Sequence, residues 1–277
     1  MTRRPAAMWI RAAGIVLLGG MAIAGGAAGA ADSIPTTPYP GPARSIGGAA
    51  NGCLAGAQAL PLSGPGWEVM RPLRNRFWGN PALVAFLEDM ARRTASLGRL
   101  LVLDMAQPRG GHMTSSHGSH QTGVDADLLY RLASGPLSDE ERSAPAMDSM
   151  VTAAGGLDPV RWSASQTALV KTFASDPRVE RIFVNPAIKR ALCGLVTGDR
   201  QWLRKLRPWW GHDEHFHVRI ACPPGDRDCI AGPPIPAGEG CGDDLAWWFT
   251  ADAAVPKPSG KPRPPPPEAC KAVLQGE

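Results

Sequence analysis

The chain has 277 residues, of which 44% are hydrophobic, so it is long enough and apolar enough to bury a core. This composition excludes a disordered or fibrous protein. The formal net charge is +4, and only +1 remains when the three arginines that precede the first acidic residue, Asp32, are set aside. A nucleic-acid-binding protein of this size would carry a basic face, so we expect no nucleic-acid partner.

The first 30 residues have the features of a secretory signal peptide. Arg3, Arg4 and Arg11 form a positively charged start, residues 12–24 are apolar, and small residues precede Asp32. The alternative is an uncleaved membrane anchor, because residues 12–31 are uncharged and about as long as a membrane span. We expect cleavage, no stable membrane span after it, and a mature protein in the periplasm.

One proline-rich arm follows the signal peptide, and a second lies near the C-terminus. Residues 32–66 are also rich in Gly and Ala and predict an irregular arm, and residues 255–270 predict an extended polyproline segment. The chain has six cysteines, an even number that favours disulfides in an exported protein, although fifteen pairings are possible. Because Cys53 and Cys270 border the two arms, we expect both arms to be attached to a single domain of residues 31–277.

Between these arms, local signals predict a mixture of helices and strands. Asn80-Pro81 starts a helix that continues to Gly98, Ser163 with Gln166 forms a capping box, and Asn185-Pro186 starts a short helix. Apolar or alternating runs predict strands at Leu100–Met105, Val124–Leu128, Glu180–Val184 and His215–Ile220. The elements show no repeating βαβ period, which favours an α+β fold.

All six histidines fall in two short windows that are more than ninety residues apart. The first window holds His112, His117 and His120, and the second holds His212, His215 and His217. Carboxylates accompany both windows, at Asp125 and Asp127 in the first and at Asp213 and Glu214 in the second. Imidazole and carboxylate groups are ligands of divalent metals, so the pattern indicates a metal site assembled from two distant segments.

Residue spacing limits how these groups can meet. His120 and Asp127 would be too far apart along a helix to share an ion, so the chain must bend between them, and Gly123 permits a bend. Asp127 then lies on a strand, on the same face as Asp125. His215 and His217 also share a face of their strand, about 7 Å apart, so one can bind a metal while the other faces a substrate.

Two histidines and one aspartate with an open fourth position are typical of a catalytic zinc site, because structural zinc sites are closed by four protein ligands. Zinc lowers the pKa of a bound water to about 7 and polarises a carbonyl, which is the chemistry of amide hydrolysis. Two alternatives stay open: the histidines form structural hydrogen bonds, or the site holds zinc without catalysis.

The two windows also resemble a known family. The run His117-x-x-His120-Gln-Thr-Gly-x-Asp-x-Asp127, and the later run His212-x-x-His215-x-His217, resemble the penicillin-insensitive murein endopeptidases. Residues 182–189, residues 240–242 and the proline-rich tail extend the resemblance over most of residues 50–275. The family is related to the lysostaphin-type and D-Ala-D-Ala zinc peptidases. The resemblance implies a small antiparallel sheet that holds the metal, flanked by helices and disulfide-pinned irregular arms.

Carried over to these positions, the resemblance implies that His120, Asp127 and His217 bind zinc. His215 would stabilise the oxyanion or move a proton, with His212 nearby. The substrate would be the D-alanyl–meso-diaminopimelate cross-links of peptidoglycan. The implied disulfides are Cys53–Cys270, Cys193–Cys241 and Cys222–Cys229.

Two further residues are candidates for the site. Some family members use the equivalent of His117 for a second metal, so His117 is an additional candidate ligand. Residues 150–162 contain no histidine, however, and a second zinc is not expected. Glu214 stands three residues before His217, where related dipeptidases place their general base. It is a candidate base unless the strand has already begun there, which would turn Glu214 away from His217.

Two other functions compete with a zinc endopeptidase. A penicillin-sensitive serine DD-peptidase is disfavoured because the sequence contains neither Ser-x-x-Lys nor Gly-x-Ser-x-Gly. A non-catalytic, zinc-containing module that binds the cell wall is the remaining alternative. A digest of cross-linked muropeptides separates such a module from an enzyme.

Overall fold

The structure is a computed structural model that describes residues 35–113, 117–255 and 263–276. The predicted signal peptide, residues 1–30, lies outside the described residues, as does the part of the proline-rich arm at 256–262. Within the part of the chain that is described, no helix is long and apolar enough to cross a membrane.

Helices and strands are mixed along the described chain. The helices are α1 (Pro81–Arg93), α2 (Asp139–Ser143), α3 (Ala164–Ser175), α4 (Pro186–Leu195), α5 (Asp243–Ala246) and α6 (Cys270–Gln275). The strands are β1 (Arg44–Gly48), β2 (Asn51–Ala55), β3 (Gln58–Ala59), β4 (Ser63–Gly64), β5 (Trp67–Val69), β6 (Trp78–Gly79), β7 (Leu100–Val102), β8 (Asp125–Leu129), β9 (Val179–Val184), β10 (Leu206–Pro208), β11 (His215–Ile220) and β12 (Cys229–Ile230).

The main sheet differs from the small antiparallel sheet that the resemblance implied. It has seven strands in the order β10-β9-β11-β8-β7-β5-β4 and is mixed, because β10 runs parallel to β9 and β5 runs parallel to β7. Its centre, from β9 through β11 and β8 to β7, is antiparallel, and so is the pair β5–β4 at one edge. The extra strands come from short segments with no strong sequence signal, and tertiary pairing holds them extended.

The expected arm at residues 32–66 is not irregular throughout. Its residues form β1 to β4, and β1 and β2 pair in a hairpin that β12 extends to three strands. The glycine-rich composition that indicated turns is used for tight contact: a Cβ on Gly52 would come within 2.2 Å of the Ile46 carbonyl oxygen. The prediction of an irregular arm was wrong here because backbone pairing, rather than side-chain pattern, forms these strands.

The predicted helix starts are confirmed. Asn80 and Asn185 cap α1 and α4 by accepting from Ala82 N and Ala187 N, and Ser163 with Gln166 forms the capping box of α3. Helix α1 ends at Arg93 rather than at Gly98, and the predicted strand at Leu100–Met105 ends at Val102. Strand β11 has its predicted bounds.

The main hydrophobic core lies between helices and one face of the large sheet. Phe173 of α3 contacts both Phe86 of α1 and Phe216 of β11, with ring centroids 5.7 and 5.2 Å apart. Phe216, Val218 and other alternate residues of β11 are fully buried against this layer. Because side chains alternate along a strand, His215, His217 and Arg219 point to the opposite face of the sheet. The core therefore fixes the face on which the histidines stand.

The described chain has three disulfides, with the pairing that the resemblance implied: Cys53–Cys270, Cys193–Cys241 and Cys222–Cys229. Cys53–Cys270 attaches α6, which follows the proline-rich segment, to β2 of the hairpin. This disulfide joins the N-terminal arm to the C-terminal arm.

Candidate metal centre

Two adjacent antiparallel strands bring the histidine windows together. In the register of β8 and β11, Asp127 lies opposite His217, and Asp125 lies opposite Arg219. Both pairs stand on the face away from the helices, since Ala126 and Val218 point into the core. The partners are 90 and 94 positions apart in sequence, so strand pairing alone creates this contact.

The carboxylate of Asp127 lies at the centre of four imidazole rings. Its Oδ1 is 3.3 Å from His120 Nε2 and 3.3 Å from His217 Nδ1. Its Oδ2 is 3.6 Å from His117 Nδ1 and 3.8 Å from His215 Nε2. Sequence-predicted ligands from both windows therefore converge on one buried carboxylate, and ligand atoms of His117, His120 and Asp127 all lie within 4.8 Å of one another.

The loop before β8 bends as the spacing required. Gly123 has a φ of 71°, and a Cβ there would come within 2.5 Å of Leu54 Cδ2 and 2.8 Å of Asn80 N. His120 itself is left-handed, with a φ of 64°. Its backbone N–H donates to Asp125 Oδ2 at 3.0 Å, which offsets the strain of that conformation.

The donor set fits a divalent metal ion. His120 Nε2 and Asp127 Oδ1 are buried and form no hydrogen bond with any described residue, although only 3.3 Å separates them. Buried polar atoms without a partner are costly, and a cation bound between them would satisfy both. Ligand atoms of a tetrahedral site with bonds of about 2.0–2.1 Å lie about 3.3–3.4 Å apart. The two measured separations around Oδ1 match that value.

Opposite charges set the protonation of this cluster. Burial on its own would raise the pKa of Asp127, but His120 and His215 hold it well below its usual range. Burial likewise opposes the charged form of His120, and the carboxylates of Asp127, Asp125 and Asp104 nevertheless raise its pKa. Asp127 is therefore a carboxylate over the whole neutral range, as a metal ligand must be.

Asp125 anchors the neighbouring position. Despite burial, the Arg219 guanidinium and His217 hold its pKa far below the usual range. Arg219 donates to both oxygens, at 2.6 Å from Nε and 3.2 Å from Nη2. Asp125 Oδ1 also lies 3.1 Å from His217 Nε2, so the carboxylate stands beside the ring nitrogen that faces away from Asp127. Such a carboxylate orients an imidazole that binds a metal.

His212 and Glu214 stand at different distances from this cluster. The His212 ring centroid is 5.0 Å from that of His215, and His212 Nδ1 lies 2.8 Å from the Trp210 carbonyl oxygen. Burial, followed by the charges of His215 and His217, lowers the pKa of His212 to about 4. Glu214 precedes the first residue of β11, and among the described residues its carboxylate has no ion pair with these histidines. Burial raises its pKa.

One buried residue of the site had not been predicted. Asp104 Oδ2 accepts from Arg74 Nη1 at 3.0 Å and Arg76 Nη1 at 3.1 Å, and lies 2.9 Å from His117 Nε2. It therefore holds His117 with Nδ1 toward Asp127. A signal was available, because an aspartate that directly ends the apolar run Leu100–Leu103 is an unusual core residue that needs a partner.

An open cavity of about 360 Å³ leads to the cluster. Its walls include His117, His217 and three aromatic side chains, Phe183, Trp209 and Trp210. Trp209 remains 47% exposed, so its ring is accessible to a ligand in the cavity. The histidine cluster is thus reachable from solvent, which a purely structural core site would not require.

Comparison with known proteins agrees with this geometry. Residues 45–275 match the family model described as penicillin-insensitive murein endopeptidase. A penicillin-insensitive murein endopeptidase of Klebsiella pneumoniae subsp. pneumoniae is 42% identical over 264 residues, which cover 94% of this chain and 96% of that protein. One of Haemophilus influenzae is 43% identical over 244 residues, 84% of this chain and 83% of its own length. The chain therefore belongs to the penicillin-insensitive murein endopeptidases, a family of peptidoglycan-hydrolysing metallopeptidases.

Proposed function

We propose that the protein is a zinc-dependent DD-endopeptidase that hydrolyses the D-alanyl–meso-diaminopimelate cross-links of peptidoglycan. The observation that carries this proposal is the buried Asp127 Oδ1, which lies 3.3 Å from two imidazole nitrogens and forms no hydrogen bond with a residue that the structure describes. The cavity beside it is open to a peptide. The names of the relatives support murein as the substrate.

In this proposal His120, Asp127 and His217 hold the zinc ion. When bound, zinc supplies Lewis acidity toward a carbonyl and lowers the pKa of water to about 7. Nitrogen and oxygen ligands suit zinc, and a set of three protein ligands would leave the fourth position to solvent or substrate. His117 is the remaining candidate ligand, since its Nδ1 faces the other oxygen, Oδ2, of Asp127.

We propose that His215 transfers a proton or stabilises the developing oxyanion, with His212 beside it. His215 Nδ1 forms no hydrogen bond with any described residue, so a proton can be gained or lost there without breaking an existing bond. His212, whose pKa is about 4, is neutral at neutral pH and can accept or share a proton. Glu214 is the weaker candidate for the base, because its carboxylate has no contact with the cluster in the described chain.

Location and organisation follow from the same proposal. Disulfides persist in oxidising compartments, so three of them in one chain support an extracytoplasmic protein. We propose that residues 1–30 are a cleaved signal peptide and that residues 31–277 form one periplasmic domain whose partner is murein.

The test combines metal analysis with a digest of purified, cross-linked muropeptide dimers. We expect the zinc-loaded protein to convert dimers to monomers, and His120→Ala and Asp127→Ala to lose zinc and activity together. His215→Ala should keep zinc while turnover falls about 10²- to 10⁴-fold, as expected for loss of one acid–base or oxyanion group. His112→Ala is the matched control, because His112 is exposed and outside the cluster.

Three outcomes would contradict the proposal. Intact dimers with zinc bound would favour a wall-binding module that lacks catalysis. An active, metal-free His120→Ala variant would exclude the ligand set. A loss of zinc in His215→Ala as large as in His217→Ala would show that the two histidines have exchanged roles.

A further inference from the structure

A short loop next to the metal centre carries three arginines. Strands β5 and β7 are parallel, with Val69 opposite Val102, so Arg71 and Asp104 leave the sheet at the same edge, two residues further on. Asp127 N donates to the Asp104 carbonyl at 2.9 Å, which places the start of β8 at that edge as well. The loop that begins at Arg71 therefore contacts Asp104, which in turn contacts His117 of the site.

Two of the three arginines pair with a carboxylate. Arg74 and Arg76 both donate to Asp104 Oδ2, the oxygen that also contacts His117. The guanidinium of Arg71, in contrast, forms no ion pair or hydrogen bond with any residue in the described ranges. Asp104 and Glu214 are the carboxylates whose charge reaches it, but neither pairs with it. One cation at the edge of the site is left without a partner.

Arg71 lines an open cavity at the protein surface. Arg71, Pro72, Leu73, Arg74 and Ser143 line a cavity of about 180 Å³. Arg71 is half-buried, and burial, followed by the charge of Arg74, lowers its pKa. Its backbone is fixed, because Arg71 N donates to the Arg142 carbonyl at 2.7 Å. A partly desolvated cation held in place is favourable only when an anion completes it.

We infer that this cavity is a carboxylate-binding subsite in which Arg71 pairs with a free carboxylate of the murein peptide. The planar guanidinium matches a carboxylate with two parallel hydrogen bonds, and Arg74 adds positive charge to the same cavity. A cross-linked murein peptide offers a carboxylate on diaminopimelate, beside the scissile amide, and another at the end of the stem. The inference rests on the proposed function, and Arg71 acts as a residue that binds and positions the peptide.

The test compares three substrates: unmodified peptide dimers, dimers amidated at the diaminopimelate carboxylate, and dimers amidated at the stem terminus. We expect Arg71→Gln to raise KM for the unmodified dimer about 10- to 100-fold, the range for a charge-assisted hydrogen bond, with kcat little changed. For one of the two amidated dimers, the unaltered protein should show a KM as high as that of Arg71→Gln for the unmodified dimer. Arg71→Gln should not raise the KM for that amidated dimer any further. That dimer identifies the carboxylate.

Additional variants separate charge, geometry and folding. Arg71→Lys keeps the charge but not the two-pronged geometry and should recover only part of the affinity. Arg71→Asn tolerates the left-handed φ of 52° at this position, so it tests the loss of the guanidinium without added backbone strain. Arg92→Gln is the matched control, an arginine on α1 whose side chain is 61% exposed. Zinc content and thermal unfolding should be unchanged in all four.

Two results would overturn the subsite. One is that Arg71→Gln leaves the KM for the unmodified dimer unchanged. The other is that Arg71→Gln raises the KM by the same factor for all three dimers. If the unaltered protein cleaves no dimer, the proposed function fails. Calorimetric binding of the same dimers to the unaltered protein and to Arg71→Gln then still decides whether Arg71 recognises a carboxylate.

Discussion

A buried lysine makes the stability of this protein depend on alkaline pH. Lys189 of α4 is fully buried, and its Nζ donates to the carbonyl oxygens of Leu203 and Glu239, each at 2.6 Å. Burial, followed by the charge of Arg207, lowers its pKa from 10.5 to about 7. The carboxylate of Glu239 opposes this shift, and Arg200 adds to it.

The sign of the effect follows from proton binding in the two states. Between pH 7 and 10.5 the unfolded chain keeps the lysine proton that the folded chain has released, so the free energy of unfolding rises with pH. Pairing a folded-state pKa of about 7 with an unfolded value of 10.5 gives a gain of about 2 kcal/mol from pH 7 to pH 9. The described chain has no free cysteine, so no thiol titrates there to obscure the change.

The assay is urea unfolding of the purified, oxidised protein at pH 7, 8 and 9, with Lys189→Met as the comparison. The substitution leaves the Leu203 and Glu239 carbonyls without their donor, so it lowers stability at every pH. The informative quantity is the slope, which we expect in the unaltered protein and not in Lys189→Met. An equal rise with pH in both proteins would refute the assignment of the linkage to Lys189.

Three substitutions away from the zinc ligands test the scaffold. Asp104→Asn removes the charge that holds two guanidiniums and an imidazole, and should lower the free energy of unfolding by about 3 kcal/mol; a loss below about 1 kcal/mol in urea would contradict it. Phe173→Ala empties the contact between α1, α3 and β11 and should cost about 3–5 kcal/mol, whereas an unchanged urea midpoint would show that the core is elsewhere. Replacing Cys193 and Cys241 together by Ser opens a link across 48 residues and should cost about 4 kcal/mol relative to the oxidised, unaltered protein, whereas under reducing conditions the difference between the two should vanish.

Local chemistry was readable from the sequence where a signal spans only a few residues. The asparagine caps of α1 and α4 and the capping box of α3 start their helices as predicted, since each needs only a side chain and the next backbone N–H groups. The alternation of β11 likewise placed His215 and His217 on one face. The end of α1 was less predictable, because Leu97 continues the apolar pattern beyond Arg93.

The site itself was only half visible in the sequence. The two histidine windows and the bend at Gly123 identified which groups could share an ion, and the resemblance supplied their expected roles. The sequence did not identify Asp104 or Arg71 as residues of the site. Both come near the metal centre only because strands β5, β7 and β8 lie side by side in the sheet. Nothing within a few residues of either position encodes that meeting.

The sequence by itself determined the ingredients: the helix starts, the strand that carries the second histidine window, an even set of cysteines and two groups of metal-binding side chains. Only the tertiary structure decided the mixed seven-stranded sheet, the opposition of Asp127 to His217 and the position of Arg71, which pairs with no residue of the described chain. The physical reason is the range of the interactions. Caps and alternation act between neighbours, whereas strand register and the balance of buried charges depend on segments that lie far apart in the chain.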